Sequence, residues 1–135
     1  MGRFQKSVAT LRISGDDLVP GEVSILLACS PTRSQKKGET LVGQRTGLLR
    51  IARSGMWSLD CADQEPQNVD KQIEELLAKM TGNIETWQAL SKRYRVDFFC
   101  GLFMGSGNEG LTISPNSLAA LGQRGIELVL DVYGP

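Results

Sequence analysis

Between Tyr94 and Met104 the chain carries a nearly unbroken apolar run, and a two-residue period puts Val96, Phe98, Cys100 and Leu102 on one face and Asp97, Phe99 and Phe103 on the other. Both faces of this extended segment read as at least partly buried. Two further segments read as strands. Val8 to Ser14 alternates as an opening strand, and Ile126, Leu128, Leu130 and Val132 alternate with Glu127, Val129, Asp131 and Tyr133 as a closing strand with one strongly apolar face. The 135 residues, 41% of them hydrophobic, suffice for one ordinary core. We therefore expect a flexible N-terminal segment over residues 1–7 and a single domain over 8–135.

The segments between these strands read mainly as helices. After Gly15, Asp16 and Asp17 offer cap acceptors for a helix that opens at Pro20, uses Val23, Leu26 and Leu27, and ends near Ala28, ahead of Pro31. Ser30 to Val42 has neither period and is expected to be the longest loop. Thr46–Ile51 and Met56–Cys61 suggest a hairpin around Arg53, Ser54 and Gly55, with Gly55 free to take a positive φ. Asn68 can cap a helix carrying Val69, Ile73, Leu76, Leu77 and Met80, and Lys71, Glu75 and Lys79 mark its solvated face. Gly82 interrupts that pattern, after which Asn83 caps a second helix with Ile84, Trp87 and Leu90, ending near Arg93. Gly105–Gly110 is a turn and Leu111–Ser114 a short strand. Ser114 and Pro115 then start a helix that Gly125 ends.

The resulting order is β-α-β-β-α-α-β-β-α-β. It predicts an α+β two-layer sandwich: a predominantly antiparallel sheet of about six strands with helices on one face, a ferredoxin-like βαββαβ portion and a further βαβ.

The composition excludes much chemistry. There is no histidine, which removes the usual neutral-pH base and every Ser-His or Cys-His arrangement. Fifteen basic residues balance fifteen acidic ones, so the excess of positive charge that nucleic-acid binding needs is missing. Cys29, Cys61 and Cys100 are odd in number and far apart, arguing against a disulfide framework or zinc site and for inert thiols in a reducing cytoplasm. No segment is long and apolar enough for a membrane span. Gly105-Ser106-Gly107-Asn108-Glu109-Gly110 matches the spacing of a dinucleotide fingerprint, but the next helix opens only at Pro115, so a turn is expected and no cofactor or metal.

Read in order, Ser14-Gly15-Asp16-Asp17-Leu18, Pro31-Thr32-Arg33 with Lys37-Gly38, Gly55-Met56-Trp57-Ser58-Leu59 and Val96-Asp97-Phe98-Phe99-Cys100-Gly101-Leu102-Phe103 resemble a bacterial family known only as domain of unknown function 4279. The Gly-Asn-rich turn and the terminal Leu130-Asp131-Val132-Tyr133 extend the resemblance over about Ala9 to Tyr133. It implies no activity, substrate or catalytic residue.

Two sets of residues remain as candidate sites. Thr32, Arg33, Lys36 and Lys37, with Trp57 as a flat apolar wall, could bind a phosphate or an acidic protein partner; the alternative is a solvated loop beside a core tryptophan. Asp97 and Asp131 could share a sheet face with Arg12, either as a polar site for a small ligand or acid–base chemistry, or as an ion-pair network. Asp16 and Asp17 are read as caps, not metal ligands. The leading expectation is a non-catalytic binding or protein-interaction domain, with a small-molecule or phosphate-binding domain, enzymatic in one version, as the alternative. An exposed edge strand leaves room for a homodimer.

Overall fold

The strand that organises the sheet is β2 (Lys6–Gly15): Ser7, Ala9, Leu11 and Ile13 are buried on one side, while Lys6, Val8, Thr10, Arg12 and Ser14 alternate with them on the other. The computed structural model describes residues 2–135, with side chains from Phe4 onward. Phe4 is in the core and β2 begins at Lys6, so the expected boundary between residues 7 and 8 falls inside a strand. A two-residue strand, β1 (Gly2–Arg3), precedes it.

The chain then forms α1 (Pro20–Leu27), β3 (Arg33–Gln35), β4 (Thr40–Val42), β5 (Leu49–Ile51), β6 (Gly55–Asp60), α2 (Val69–Ala78), α3 (Ile84–Arg93), β7 (Arg95–Phe103), β8 (Glu109–Gly110), α4 (Pro115–Arg124) and β9 (Glu127–Tyr133). The main sheet has the order β3-β6-β2-β7-β9. Because β6 is antiparallel to both β2 and β3, those two strands are parallel to each other and joined through α1, the split βαβ arrangement of ferredoxin-like folds. β7 is antiparallel to β2, and β9 is parallel to β7. A parallel neighbour needs a crossover, which α4 provides as the further βαβ unit. The architecture is thus α+β with a five-stranded mixed sheet, its apolar face covered by the helices.

Local chemistry explains the helix ends. The side chains of Asn68, Asn83 and Ser114 accept the N–H groups of Lys71, Thr86 and Ser117 at 3.1, 3.1 and 3.2 Å. Gly125 takes the left-handed conformation that closes α4. The helix α1 is different. Its N-cap is Val19 without a side-chain cap, so Asp16 and Asp17 do not have the capping role expected of them. Pro20 starts the helix too far along for either carboxylate to reach the first amides; instead Asp16 pairs with Lys37 at 3.3 Å and Asp17 with Arg93 at 3.5 Å.

Three other expectations need correction. The loop 30–42 contains β3 and β4. The hairpin expected around Arg53–Gly55 does not form: β5 pairs with β4, and β6 pairs with β2 and β3. The turn that closes β4 on β5 is instead Gly43–Leu48, where Gly47 has φ 66°. Gly55 is required for space, since a Cβ there would lie 2.7 Å from the Gly15 carbonyl oxygen and 2.8 Å from that of Leu18. Finally, Leu111–Ser114 is irregular, and the short strand β8 lies just before it, paired with β1.

The layer between sheet and helices holds Trp57, Trp87, Phe98, Leu11, Ile13, Ile73 and Leu76, all fully buried. Their polar atoms are matched: Trp87 Nε1 donates to the Thr81 carbonyl at 2.9 Å. Gln72, buried on α2, donates to the carbonyls of Ser7 and Ala62 and accepts from the Ser7 hydroxyl at 2.8 Å. A satisfied network of this kind fixes the helix on the sheet at one register.

Candidate functional site

The basic loop singled out in the sequence becomes an edge strand and an arm. Thr32 is pinned to β6, donating its N–H to the Ser58 carbonyl at 2.7 Å and accepting the Asp60 N–H on Oγ1 at 2.9 Å. Arg33 binds both carboxylate oxygens of Asp60, at 2.7 and 2.9 Å, and Thr10 donates to the same carboxylate at 2.8 Å. Lys37 pairs with Asp16, and Lys36 is exposed. Trp57 is not an exposed wall beside them. It is fully buried, and its Nε1 donates to Ser24 Oγ on α1 at 3.0 Å. The reason is the strand period: Trp57 and Leu59 face the helices, while Met56, Ser58 and Asp60 share the other side of the sheet.

Beyond Lys37 the chain leaves the sheet. β4 and β5 pair only with each other, and the arm is tied at its root by Gly38 N–H to the Ala52 carbonyl at 2.9 Å and Ala52 N–H to the Glu39 carbonyl at 2.8 Å. On it Val42, Leu48, Leu49 and Ile51 are 63%, 70%, 69% and 60% exposed, values opposite to what such side chains adopt in a core. Residues 36–53 contain Lys36, Lys37, Arg45, Arg50 and Arg53 against the single acid Glu39. Among the described residues, Lys36, Arg45, Arg50 and Arg53 make no ion pair. Where the arm meets the sheet, Arg50 faces Arg33, Ser34, Gln35 and Met56 across a hollow of about 290 Å³. Sequence reasoning missed Arg45, Arg50, Arg53 and the four apolar residues. The available signal was the mixture itself, arginines spaced among large apolar side chains with no alternation to bury them.

The Arg33 hydrogen bonds are the main cause that holds the Asp60 carboxyl below the usual carboxylate range, against a smaller upward push from burial and with added help from Thr10. A carboxylate with a depressed folded-state pKa adds stability above its unfolded pKa, and that contribution disappears as pH falls through the folded value. An NMR titration should therefore find the Asp60 midpoint below that of an exposed aspartate, and Arg33→Gln should move it back up. An unchanged midpoint in the variant would break the link between the two groups.

The second candidate set is only partly assembled. Arg12 and Asp97 lie opposite each other on β2 and β7, with Arg12 Nε 2.8 Å from Oδ1 and Nη2 3.0 Å from Oδ2. Arg95 approaches the same carboxylate at 3.6 Å and Glu127 at 3.0 Å, and the Arg12 guanidinium sits 4.3 Å above the Phe99 ring. Asp131 shares this sheet face but stands opposite Gly101, two same-face positions away from the Asp97–Glu127 pair. Its carboxylate accepts the Tyr133 hydroxyl at 2.7 Å. The three residues therefore do not converge, and Asp97 is enclosed by cations.

Other features do not build a reactive centre. Burial pushes the Cys100 thiol up to about 11 and raises that of Cys61 as well, the latter with help from Glu75. Among the described residues no group of three His, Cys, Asp or Glu is placed to hold a metal, and no helix is long and apolar enough to cross a membrane. The glycine-rich segment before Pro115 is a turn in which Glu109 accepts the Gly105 N–H, with no helix opening onto it. A cavity of about 480 Å³ between α2 and α4 includes Asp70, Glu74, Ser117 and Arg124 in its lining, and Asp70 already takes the Ser114 N–H at the start of α4.

Fold and surface together define a small α+β sandwich that carries an exposed basic and apolar arm. The chain belongs to the family described as Domain of unknown function (DUF4279), whose model matches residues 5–135. None of the curated proteins and none of the solved structures matches it.

Proposed function

We propose that this protein is a non-catalytic binding domain that takes an acidic protein partner on the arm and the adjoining edge of the sheet. The observation that carries this reading is the exposure of Val42, Leu48, Leu49 and Ile51 on an arm that also bears Arg45, Arg50 and Arg53. Clustered exposed apolar side chains cost solubility, and on monomeric surfaces they mark contact sites. Val42, Leu49 and Ile51 share one face of the β4–β5 ribbon and Arg50 lies on the other, a mixture of apolar side chains and unpaired arginines that matches the composition of protein interfaces, where arginine is enriched and the partner supplies carboxylates. Lys36 extends the positive surface towards the edge strand, where Lys37 and Arg33 are held by Asp16 and Asp60, so the basic residues first singled out adjoin this surface and the buried Trp57 does not. The protein partner is favoured over a small ligand because the exposed apolar and basic side chains are spread along the arm from Val42 to Arg53, and of them only Arg50 lines the hollow at its root.

The test is a triple charge reversal, Arg45→Glu with Arg50→Glu and Arg53→Glu, applied to a complex captured from native lysate. Reversing three interfacial charges should weaken that complex at least about 100-fold and make the wild-type affinity the more salt-sensitive of the two. Thermal unfolding should stay unchanged because all three side chains are exposed. A complex that keeps full affinity in the variant would remove the arm from the binding surface. Tight binding to anionic phospholipid vesicles with no protein partner would replace the reading altogether.

A further inference from the structure

The opposite margin of the sheet is also uncovered. β9 has β7 on one side and, among the described residues, no strand on the other. Tyr133 turns its carbonyl towards β7, accepting the Met104 N–H at 2.9 Å. Backbone groups of successive strand residues point in opposite directions, so those of Leu128, Leu130 and Val132 point out of the sheet. The side chains of these three lie on the helix-covered face, in register with Phe98, Cys100 and Leu102. Leu130 and Val132 are nevertheless 43% and 50% exposed, as is Leu118, at 50%, on the α4 helix packed against this strand. The three residues of this edge strand whose peptide groups point outward all carry apolar side chains, while its carboxylates, Glu127 and Asp131, stand on the opposite face, so the outward row lacks the charge or proline with which native sheets normally blunt a margin.

We propose that a second copy of this chain covers it, with β9 pairing antiparallel to β9 of that copy about a two-fold axis at Leu130. The strand's own charge pattern selects the axis. Centring the pair on Leu130 sets Leu130 against Leu130 and Leu128 against Val132, twice over, which are the outward-pointing residues, so about six N–H···O bonds close the seam. On the other face it sets Glu127 against Tyr133 and Val129 against Asp131, so no carboxylate meets another. Moving the axis to Val129 brings Glu127 opposite Asp131, and moving it to Asp131 brings that carboxylate opposite its own copy; each pairs like charges directly and loses bonds at the strand ends. An interface that matches itself under a two-fold rotation closes at the dimer. The two sheets join with their helices on the same side. The arm lies beyond β3 at the other margin, so this pairing is independent of the partner surface proposed above.

Sedimentation of the full chain at micromolar concentration should give a particle of twice the 14.7 kDa chain mass. Leu130→Lys and Leu130→Glu each place like charges at the axis and should weaken self-association at least about 100-fold. Mixing the two variants should restore a dimer, because lysine then faces glutamate. That rescue also shows that both variants are folded. Independently of any substitution, the amide protons of Leu128, Leu130 and Val132 should be protected from exchange in the wild type. A monomeric wild type, a dimer indifferent to both substitutions, variants that stay monomeric when mixed, or free exchange at those three amides would each overturn the proposal. Loss of partner binding in the arm variant leaves all of these outcomes unchanged, so the two readings fail separately.

Discussion

Trp57→Ala lowers the unfolding free energy by about 4 kcal/mol, the middle of the range for truncating a buried aromatic side chain. The indole is fully buried between β6 and α1, and the substitution empties that space and also strips Ser24 Oγ of its donor at 3.0 Å. A loss of this size is a large part of the 5–15 kcal/mol that holds an ordinary domain together, roughly speaking. In a denaturant titration the midpoint should fall sharply with little change in slope. At low temperature, where the variant is still folded, it should bind the proposed acidic partner as the wild type does. A loss below about 1 kcal/mol would mean that the residue is near solvent, and the contact surface would then have to include it.

Asp97→Ala is expected to cost about 3 kcal/mol, for a different reason. The side chain of Asp97 is only 5% exposed and is held by Arg12 at 2.8 Å and approached by Arg95 at 3.6 Å. Removing it leaves the partly buried Arg12 guanidinium without its carboxylate, while the exposed Arg95 keeps Glu127. A double-mutant cycle with Arg12→Met should return a coupling of at least about 1 kcal/mol, since the two side chains meet bidentately. Coupling near zero would show that the pair is a solvated surface contact. It would also reopen the face of the sheet to a ligand, because a weakly held carboxylate is available to one.

The parts of the fold that were legible are those whose signal is local. Val96, Phe98, Cys100 and Leu102 are buried on one face of β7, as their alternation requires, and Asn68, Asn83 and Ser114 cap the helices that follow them. The split βαβ order was legible as a pattern, but the strand read as its second member, Thr46–Ile51, lies in the arm, and the unit is completed by β3 from the segment read as a loop. The arm was not legible. β4 and β5 are exposed on both faces and have no polar–apolar period, so their pairing depends on a turn at Gly43–Leu48 and not on burial. β3 is three residues long and owes its extended form to β6, more than twenty positions away in sequence. Trp57 could have been placed, since it shares a period with Leu59, but its proximity to a basic loop in sequence suggested surface. Arg12 with Asp97 was half legible: their residue types and strands were readable, whereas the register that separates Asp131 from them was not.

The root of the arm has a bearing on how this domain can change. Two backbone hydrogen bonds between Gly38, Glu39 and Ala52 bring the chain back to nearly the place it left, and strand pairing inside the arm does not involve the main sheet. Lengthening, shortening or replacing residues 40–51 therefore alters neither the sheet register nor the helix layer, and the entropy of closing a longer excursion grows only slowly with its length. The body and the arm can drift at different rates. A gene encoding this scaffold could acquire a new recognition surface by exchanging a dozen codons, and the same junction is a natural position at which to graft a foreign loop.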